Sequence, residues 1–412
     1  MPITPPHDLR TIVQRMAYVL PLFLPLYTIR FRIGPFPTTL LELFIVVLLA
    51  VYTGQGGWNG WKAGWHRIGM WRTPITAWFF VTLLSVFVAP HIVQGIGLWR
   101  AYVLEPLLVF LVFADVLRTH EDLIRFRRHF FATVLILGVW ALFQFLTGQG
   151  IPHPWDVSIQ AGRRATGPFP FPNALALFVA PITIWAFFTW LDKRSDSLSL
   201  ITFLVGLVSI LLARSDGALL AVGTIAWFGL VARKDMRRFA VYALLIGFFV
   251  WLVTPPLRNA LQKELTFKSW SGQVRLYIWR ETWQMLKAHP IMGAGFGGYP
   301  AIFEPYHKAK AIEIFQYPHT IVFNLWSETG LAGLAVFVSI VLVWMRLVYR
   351  QAGFRGLLMG TAPLCVILIH GLVDVPYFKN DLAVSFWLLA WAMTIAPRND
   401  DSTHLLLDQK AV

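Results

Sequence analysis

Long apolar runs recur along the whole chain and constrain its fold more than any other feature. Apolar residues make up 57% of the 412 positions, charged residues make up 14%, and the mean hydropathy is +0.61. An apolar helix of about 20 residues crosses about 30 Å of hydrocarbon. We therefore predict an all-α integral membrane protein of about 12 transmembrane helices, folded as a single polytopic membrane domain over residues 1–412.

The apolar runs define the predicted spans. In chain order they are Met16 to Ile29, Thr38 to Thr53, Pro74 to Val88, Ile96 to Leu117, Phe130 to Leu146, Asn173 to Leu191, Leu198 to Ala213, Gly217 to Val231, Phe239 to Val253, Thr320 to Val348, Leu357 to Val375 and Leu382 to Ala396. Residues 254–318, between the ninth and tenth spans, are too polar and too long for an ordinary connector. We expect them to form one large outer loop that contains short helices and contributes to an active site.

Basic residues are distributed unevenly between the two sides of these spans. Lysines and arginines concentrate in the amino-terminal segment and in the loops after even-numbered spans, as in the run from Arg125 to Arg128. Cytoplasmic loops carry such an excess, and no cleavage site follows the first apolar run. We therefore expect a multi-pass protein of the inner membrane with both termini in the cytoplasm. This bias accounts for most of the net charge of +14. Because the charge has this explanation, we exclude nucleic acid as a partner.

The single cysteine, Cys365, lies inside a predicted span, so the chain has no intramolecular disulfide and no cysteine-based metal site. On the outer side, no His, Cys, Asp and Glu cluster has credible ligand spacing. We therefore expect neither a metal nor a cofactor.

Arginines on the outer face are the more informative cations, because the positive-inside bias does not explain them. Arg164 lies in a loop stiffened by proline and glycine, and Arg214 ends the seventh span. Residues 273–288 read as a helix in which Arg275 and Trp279 share one stripe and Arg280 lies on another face. Each arginine could bind an anion. Arg214 could instead reach the lipid headgroups, and Arg275 could simply stack on Trp279.

His319 is the strongest candidate for acid–base chemistry. It follows Pro318 at the outer start of the tenth span, beside a glycine-rich segment at residues 289–300. The positive end of a helix macrodipole disfavours an imidazolium, so a neutral nitrogen would be available to take a proton. The alternative is a histidine that only begins a helix at the interface.

A second set of polar residues is harder to interpret. His370 and Asp374 are four residues apart and are expected to share a helix face late in the eleventh span, near Lys379 and Asp381. Ionisable groups inside a membrane are often functional. A His–Asp or Lys–Asp pair that joins two helices explains them equally well, and the same alternatives apply to Arg100 with Glu105.

Several short motifs occur in an order and spacing that resemble the O-antigen ligase and polymerase superfamily. They are Arg-x-x-Gly-x-Phe-x-x-Pro-Asn from Arg164, Arg-Ser-x-Gly from Arg214, Arg-x-x-x-Trp from Arg275, Pro-x-x-Gly-x-Gly from Pro290, and Pro-His followed by Glu-x-Gly-x-x-Gly from Pro318 to Gly333. The resemblance extends over nearly the whole chain. Two positions depart from the family pattern: Asp216 stands where arginine is common, and Thr320 where asparagine often follows the histidine.

The resemblance implies a metal-independent membrane glycosyltransferase of the GT-C-like class. Its donor would be a glycan linked to undecaprenyl pyrophosphate, and its acceptor a hydroxyl group of a glycan or lipid at the outer face of the bilayer. His319 would be the catalytic base. Arg214 and Arg275, with Arg164 and Arg280, would bind the pyrophosphate. A second tier of candidates comprises His370, Asp374, Arg100 and Glu328. Glu328 lies on the opposite side of the helix from His319, so it is expected to be structural or to line another pocket wall.

The residues support this chemistry independently of the family. Guanidinium groups bind phosphate oxygens in pairs and stabilise a pyrophosphate leaving group. The main alternative is a transporter or flippase for anionic lipid-linked glycans, and a non-enzymatic scaffold is a third. Ligase and polymerase share one donor chemistry, so the sequence leaves both open.

Overall fold

The computed structural model describes residues 7–255, 258–259, 262–263 and 266–395 of the chain. Its named helices are α1 His7–Phe23, α2 Leu40–Arg67, α3 Arg72–Val86, α4 Ile92–Trp99, α5 Glu105–Val116, α6 His120–Thr147, α7 Pro172–Asp192, α8 Ser197–Ala213, α9 Asp216–Ala232, α10 Arg237–Val253, α11 Trp270–Ala288, α12 Tyr299–Phe303, α13 Ile321–His370 and α14 Asn380–Thr394. A π-helical turn at Arg100–Leu104 joins α4 to α5. Short 3₁₀ turns occur at Leu24–Thr28, Gly69–Trp71, Lys234–Met236 and Glu304–Tyr306.

Each apolar run predicted as a span is helical over most of its length. Six helical segments in the described part of the chain are long and apolar enough to cross a membrane: Leu40–Arg67, Ile92–Val116, His120–Thr147, Pro172–Asp192, Lys234–Val253 and Ile321–Phe354. Shorter apolar helices are Ser197–Ala213, Asp216–Ala232 and Gly356–His370. The structure therefore agrees with the predicted class, a helical integral membrane protein. The number of twelve spans stays a prediction.

The all-α class is as expected, and the structure adds one small hairpin between α1 and α2, in which β1 Arg30–Ile33 pairs antiparallel with β2 Phe36–Thr39. The predicted helix face shared by His370 and Asp374 is wrong, because α13 ends at His370 and Asp374 lies in the following turn. The predicted locations of both chain ends, and residues 256–257, 260–261 and 264–265 of the outer loop, fall outside the described residues.

The core is built around α7 and α14. Helix α7 is apolar on all sides, and 94% of an 18-residue apolar stretch within it is buried. A helix without a polar face must be covered in this way. Small residues allow its neighbours to approach closely: a Cβ atom added at Gly206 of α8 would lie 2.1 Å from Oγ1 of Thr183 in α7. Helix α10 is the opposite case. Only 6% of the apolar stretch in Lys234–Val253 is buried, so this helix lies at the periphery.

Helix α13 folds back on itself. Its backbone leaves helical geometry at Gly330 and at Gly353, where φ is +69° and +61°. Beyond Gly353 the chain returns alongside its first half, and Nε1 of Trp344 donates a hydrogen bond to the carbonyl oxygen of Gly360. The two ends of α13 therefore meet, and the Ile321 N–H donates to the carbonyl oxygen of Gly371 over 2.7 Å.

Candidate active site

A tight turn positions His319 just before α13. Its φ of +51° is left-handed, a conformation that costs a non-glycine residue about 1–2 kcal/mol. Hydrogen bonds hold the turn on both sides: Nε1 of Trp279 donates to the Pro318 carbonyl over 2.9 Å, and the Ile321 N–H donates to Gly371. The imidazole also packs edge-on against Phe315, with ring centroids 4.8 Å apart. The side chain is therefore directed by the turn rather than by the helix.

Asp374 faces His319 from the turn after α13. Its Oδ1 lies 3.7 Å from Nδ1 of His319 and accepts a 2.9 Å hydrogen bond from the Val375 N–H, while Oδ2 accepts one from Nδ2 of Asn173 at 2.9 Å. Burial alone would raise the pKa of Asp374, but the adjacent His319, with His370 and Lys379, lowers it well below its usual range. Asp374 is therefore a buried, ionised carboxylate beside a histidine that is 30% exposed.

Arg164 connects this pair to the arginine groups. Its Nη2 donates to Oδ1 of Asn173 over 2.9 Å, and its Nε donates to the Ala213 carbonyl at the end of α8 over 2.8 Å. The guanidinium also lies 4.9 Å from the centre of the Trp155 ring. A continuous chain of contacts therefore runs from Arg164 through Asn173 and Asp374 to His319.

Arg164, Arg214 and Arg275 are close enough to repel each other. Burial lowers the pKa of the Arg164 guanidinium, and the charges of Arg214 and Arg275 lower it further, whereas Asp216 opposes them. Asp216, which departs from the family pattern, therefore offsets part of the positive charge. An anion placed among the three guanidinium groups would relieve the remaining repulsion.

Arg214 and Arg275 are each fixed by the backbone and keep donors available. Arg214 is the left-handed C-cap of α8, with φ of +49°, and its side chain passes so close to Gly162 that an added Cβ there would lie 3.1 Å from Nη1. Nε of Arg275 donates to the Val373 carbonyl over 2.9 Å. Within the described residues, the terminal nitrogens of both side chains have no hydrogen bond or ion pair with the protein. The stacking alternative for Arg275 and Trp279 is not found there.

Gly217 has a clear packing role. A Cβ atom at this position would lie 2.8 Å from Cγ2 of Val373 and 3.0 Å from Cδ2 of His370. The glycine of the Arg-Ser-x-Gly motif therefore lets α9 begin directly against the turn that carries Asp374. His370 is buried and lies against Gly217, next to the turn that carries Asp374.

The other predicted residues lie elsewhere. Arg280 is exposed on a different face of α11 from Arg275. Arg100 bridges Glu42 at 3.1 Å and Glu105 at 3.2 Å, and Glu42 also accepts a hydrogen bond from Asn380, so these groups join α2, α5 and α14. Their contacts agree with the helix-joining alternative.

Glu328 holds the glycine-rich segment. Its Oε2 accepts a 2.5 Å hydrogen bond from the Gly297 N–H, and the segment also packs directly on α13, where a Cβ at Gly293 would lie 2.4 Å from the Trp326 carbonyl oxygen. The segment therefore needs glycine for close approach and a carboxylate for its backbone donors. This contact supports a structural role for Glu328.

Asn173 is a site residue that the sequence did not predict, although it ends the motif that begins at Arg164. Its amide links Arg164 to Asp374, which is 201 residues away along the chain. The available signal was an amide residue at the outer start of a span, next to a loop that carries an arginine. Among the described residues, no group of three or more His, Cys, Asp and Glu side chains could hold a metal ion.

Comparison with known proteins gives one family match. Residues 201–338 match the family model described as O-antigen ligase, and no curated protein matches the chain. The matched segment runs from α8 into α13 and contains Arg214, Arg275, Arg280, His319 and Glu328. This match confirms the resemblance to the O-antigen ligase and polymerase superfamily that the motifs predicted. Arg164 and Asp374 lie outside the matched segment.

Proposed function

We propose that the protein transfers a glycan from an undecaprenyl-pyrophosphate carrier to an acceptor hydroxyl at the outer face of the inner membrane. The observation that carries this proposal is the contact chain from Arg164 through Asn173 and Asp374 to His319, beside Arg214 and Arg275, whose terminal nitrogens have no hydrogen-bond partner among the described residues. A glycosyl transfer from a lipid pyrophosphate requires both parts: a base for the acceptor and positive charge for the leaving group.

His319 acts as the general base in this mechanism. A proton on Nδ1, which faces the ionised Asp374, leaves Nε2 free to accept the proton of the acceptor hydroxyl. The acceptor oxygen then forms a bond to the anomeric carbon as the bond from that carbon to the phosphate oxygen breaks. The anomeric configuration inverts, and the proton stays on His319 as an imidazolium that Asp374 stabilises.

The arginines stabilise the leaving group. The electron pair of the broken bond goes to the pyrophosphate, whose oxygens accept hydrogen bonds from Arg214 and Arg275. Arg164 adds positive charge, while its bonds to Asn173 and the Ala213 carbonyl fix its position. Bidentate guanidinium contacts are short and strong where water is scarce.

We place this chemistry at the outer ends of about 12 spans, with residues 254–318 outside and both termini in the cytoplasm. The donor is the lipid-linked glycan, and the acceptor is a glycan or lipid hydroxyl; a ligase and a polymerase differ only in that acceptor. A transporter remains the alternative in class, although the fixed base–carboxylate pair has no role in moving a lipid.

The direct experiment uses purified protein in lipid vesicles with lipid-linked glycan isolated from the producing cells. Mass spectrometry should detect free undecaprenyl pyrophosphate and a larger acceptor glycoconjugate. Movement of the carrier across the bilayer without any covalent product would instead identify a transporter.

A further inference from the structure

Three aromatic side chains contact one another next to the turn of His319, and a fourth, Trp279, lies one helical turn before them on α11. We call Trp279, Trp283, Phe323 and Trp326 the aromatic wall. The rings of Trp283 and Phe323 are nearly parallel, at 19° and 6.4 Å between centroids, and Trp326 meets Trp283 at 73° and 5.9 Å. The wall joins α11 to the first turns of α13.

The wall is rigid where it contacts the site. Nε1 of Trp279 donates to the Pro318 carbonyl, and Nε1 of Trp326 donates to the Pro290 carbonyl over 2.6 Å. These bonds use the polar edge of each indole and fix the plane of its ring. Trp283 is 41% exposed, and the other three rings are half-buried. Trp279 and Trp326 are therefore fixed, and Trp283 is the most exposed ring of the wall.

The position of the wall restricts what can lie on it. Trp279 contacts Pro318, the residue before the proposed base, and Arg275 lies one helical turn from Trp279 toward the pyrophosphate site. A donor whose pyrophosphate contacts the arginines has its anomeric carbon near His319. Its remaining sugar units must leave the reaction centre on a side that the arginines do not occupy, and the wall is next to that centre.

The exposed edge of the wall is polar, which favours a glycan over lipid. Arg280, Gln284 and Lys287 are exposed on α11 beside Trp283, and Nζ of Lys287 lies over the Trp283 ring, 5.6 Å from its centre. By contrast, the peripheral helix α10 exposes mainly apolar side chains. A pyranose ring has one C–H-rich face and polar hydroxyl edges, so it matches an aromatic face bordered by amide and cationic groups.

We propose that the aromatic wall is a subsite for the donor glycan, in which pyranose units next to the transferred sugar stack on Trp283 and Phe323. The proposal rests on the function proposed above and adds the recognition of the sugar chain to it. Arg280 then borders the glycan and does not bind the pyrophosphate.

Glycan binding can be measured without transfer. The probe is the oligosaccharide released by mild acid from the polyprenyl-linked pool of the producing cells, and its binding to the purified protein is followed by saturation-transfer NMR. Trp283→Ala should weaken binding about tenfold, and Trp283→Phe should stay within about twofold of the wild type. The matched control is Trp270→Ala, because Trp270 is 75% exposed on the first turn of the same helix and should not matter. Unchanged binding in Trp283→Ala, or equal loss in Trp270→Ala, would overturn the proposal.

A transfer assay separates this subsite from the proposed function. With a full-length donor, Trp283→Ala should raise KM about tenfold, whereas a carrier with a single sugar should show no change. Equal losses with both donors would reject the subsite and leave the transferase intact. Transfer by neither wild type nor variant, despite glycan binding, would reject the transferase and leave the subsite intact.

A spin label distinguishes a glycan surface from a membrane anchor. Gln284→Cys in a Cys365→Ser background places a nitroxide on the exposed face of α11. In vesicles the label should be relaxed more by a water-soluble nickel chelate than by oxygen. The reverse order would place the wall in lipid and overturn the proposal.

Discussion

Nδ1 of His319 lies 3.7 Å from Oδ1 of Asp374, although the whole of α13 separates the two residues along the chain. The backbone hydrogen bond from the Ile321 N–H to the Gly371 carbonyl brings the two residues together. Asn173 donates a hydrogen bond to Oδ2 of Asp374 and fixes the carboxylate. The pair is therefore built from both ends of one folded-back helix.

Removal of the imidazole should abolish most of the transfer. A positioned base contributes about 10²- to 10⁴-fold, so His319→Ala should lower kcat by that order and leave carrier binding intact. His289→Ala, an exposed histidine at the end of α11, is the control. Wild-type rates in His319→Ala would require another base, and His370 would be tested first.

Loss of the carboxylate charge should impair kcat more than KM. Asp374→Asn keeps the shape of the side chain but removes the charge that stabilises the imidazolium, so we expect roughly a 10²-fold lower kcat. Because the pKa of Asp374 is lowered, the wild-type carboxylate is ionised throughout the neutral range, and the deficit should stay constant there. Asp156→Asn, in an exposed loop, serves as the comparison. A rise in KM alone would assign Asp374 to substrate binding.

Arg275→Lys should lower the transfer activity even though lysine keeps the positive charge. The substitution keeps the charge but loses the planar fork and the bond from Nε to Val373, so transfer should fall at least about tenfold. Arg280→Lys should fall less, because Arg280 lies on another face of α11. Rates are measured at equal protein level in the membrane. Similar losses in both variants would contradict the separation of the two arginines.

Chelation should leave activity unchanged, since the arginines supply the positive charge for the leaving group. The measurement is transfer in EDTA, followed by addition of magnesium or manganese. Activity that disappears and returns with either metal would assign leaving-group stabilisation to the metal instead.

A reporter fused after Lys308 should be active only in the outer compartment. The reason is the bias of basic residues toward the other side of the spans. A matched fusion after Lys193, in a loop predicted to be cytoplasmic, should give the opposite result. Cytoplasmic activity after Lys308 would move the whole candidate site to the wrong side of the membrane.

Local patterns in the sequence were sufficient to locate most of the helices. Span positions follow from apolar length, and α11 follows from its periodicity, because both depend on neighbours within a few turns. The same local motifs name Arg164, Arg214, Arg275 and His319 as candidate site residues. Their mutual proximity is a property of the packed structure.

Long-range contacts explain what could not be predicted. Asn173 meets Asp374 only because α7 packs beside the fold-back of α13, and Arg100 finds Glu42 through the packing of α2 against α5. The His370–Asp374 prediction failed locally, because Gly371 ends the helix one residue after His370.

The fold-back of α13 has a mechanical consequence. Base and carboxylate flank one backbone hydrogen bond inside the fold-back, and the peripheral α10 takes no part in that contact, so a tilt of α10 is expected to leave their separation unchanged. The arginine-bearing loop and α11 are attached to that same junction through Asn173, Val373 and Pro318. The proposed base, carboxylate and arginines would then keep their relative positions while the surrounding membrane deforms.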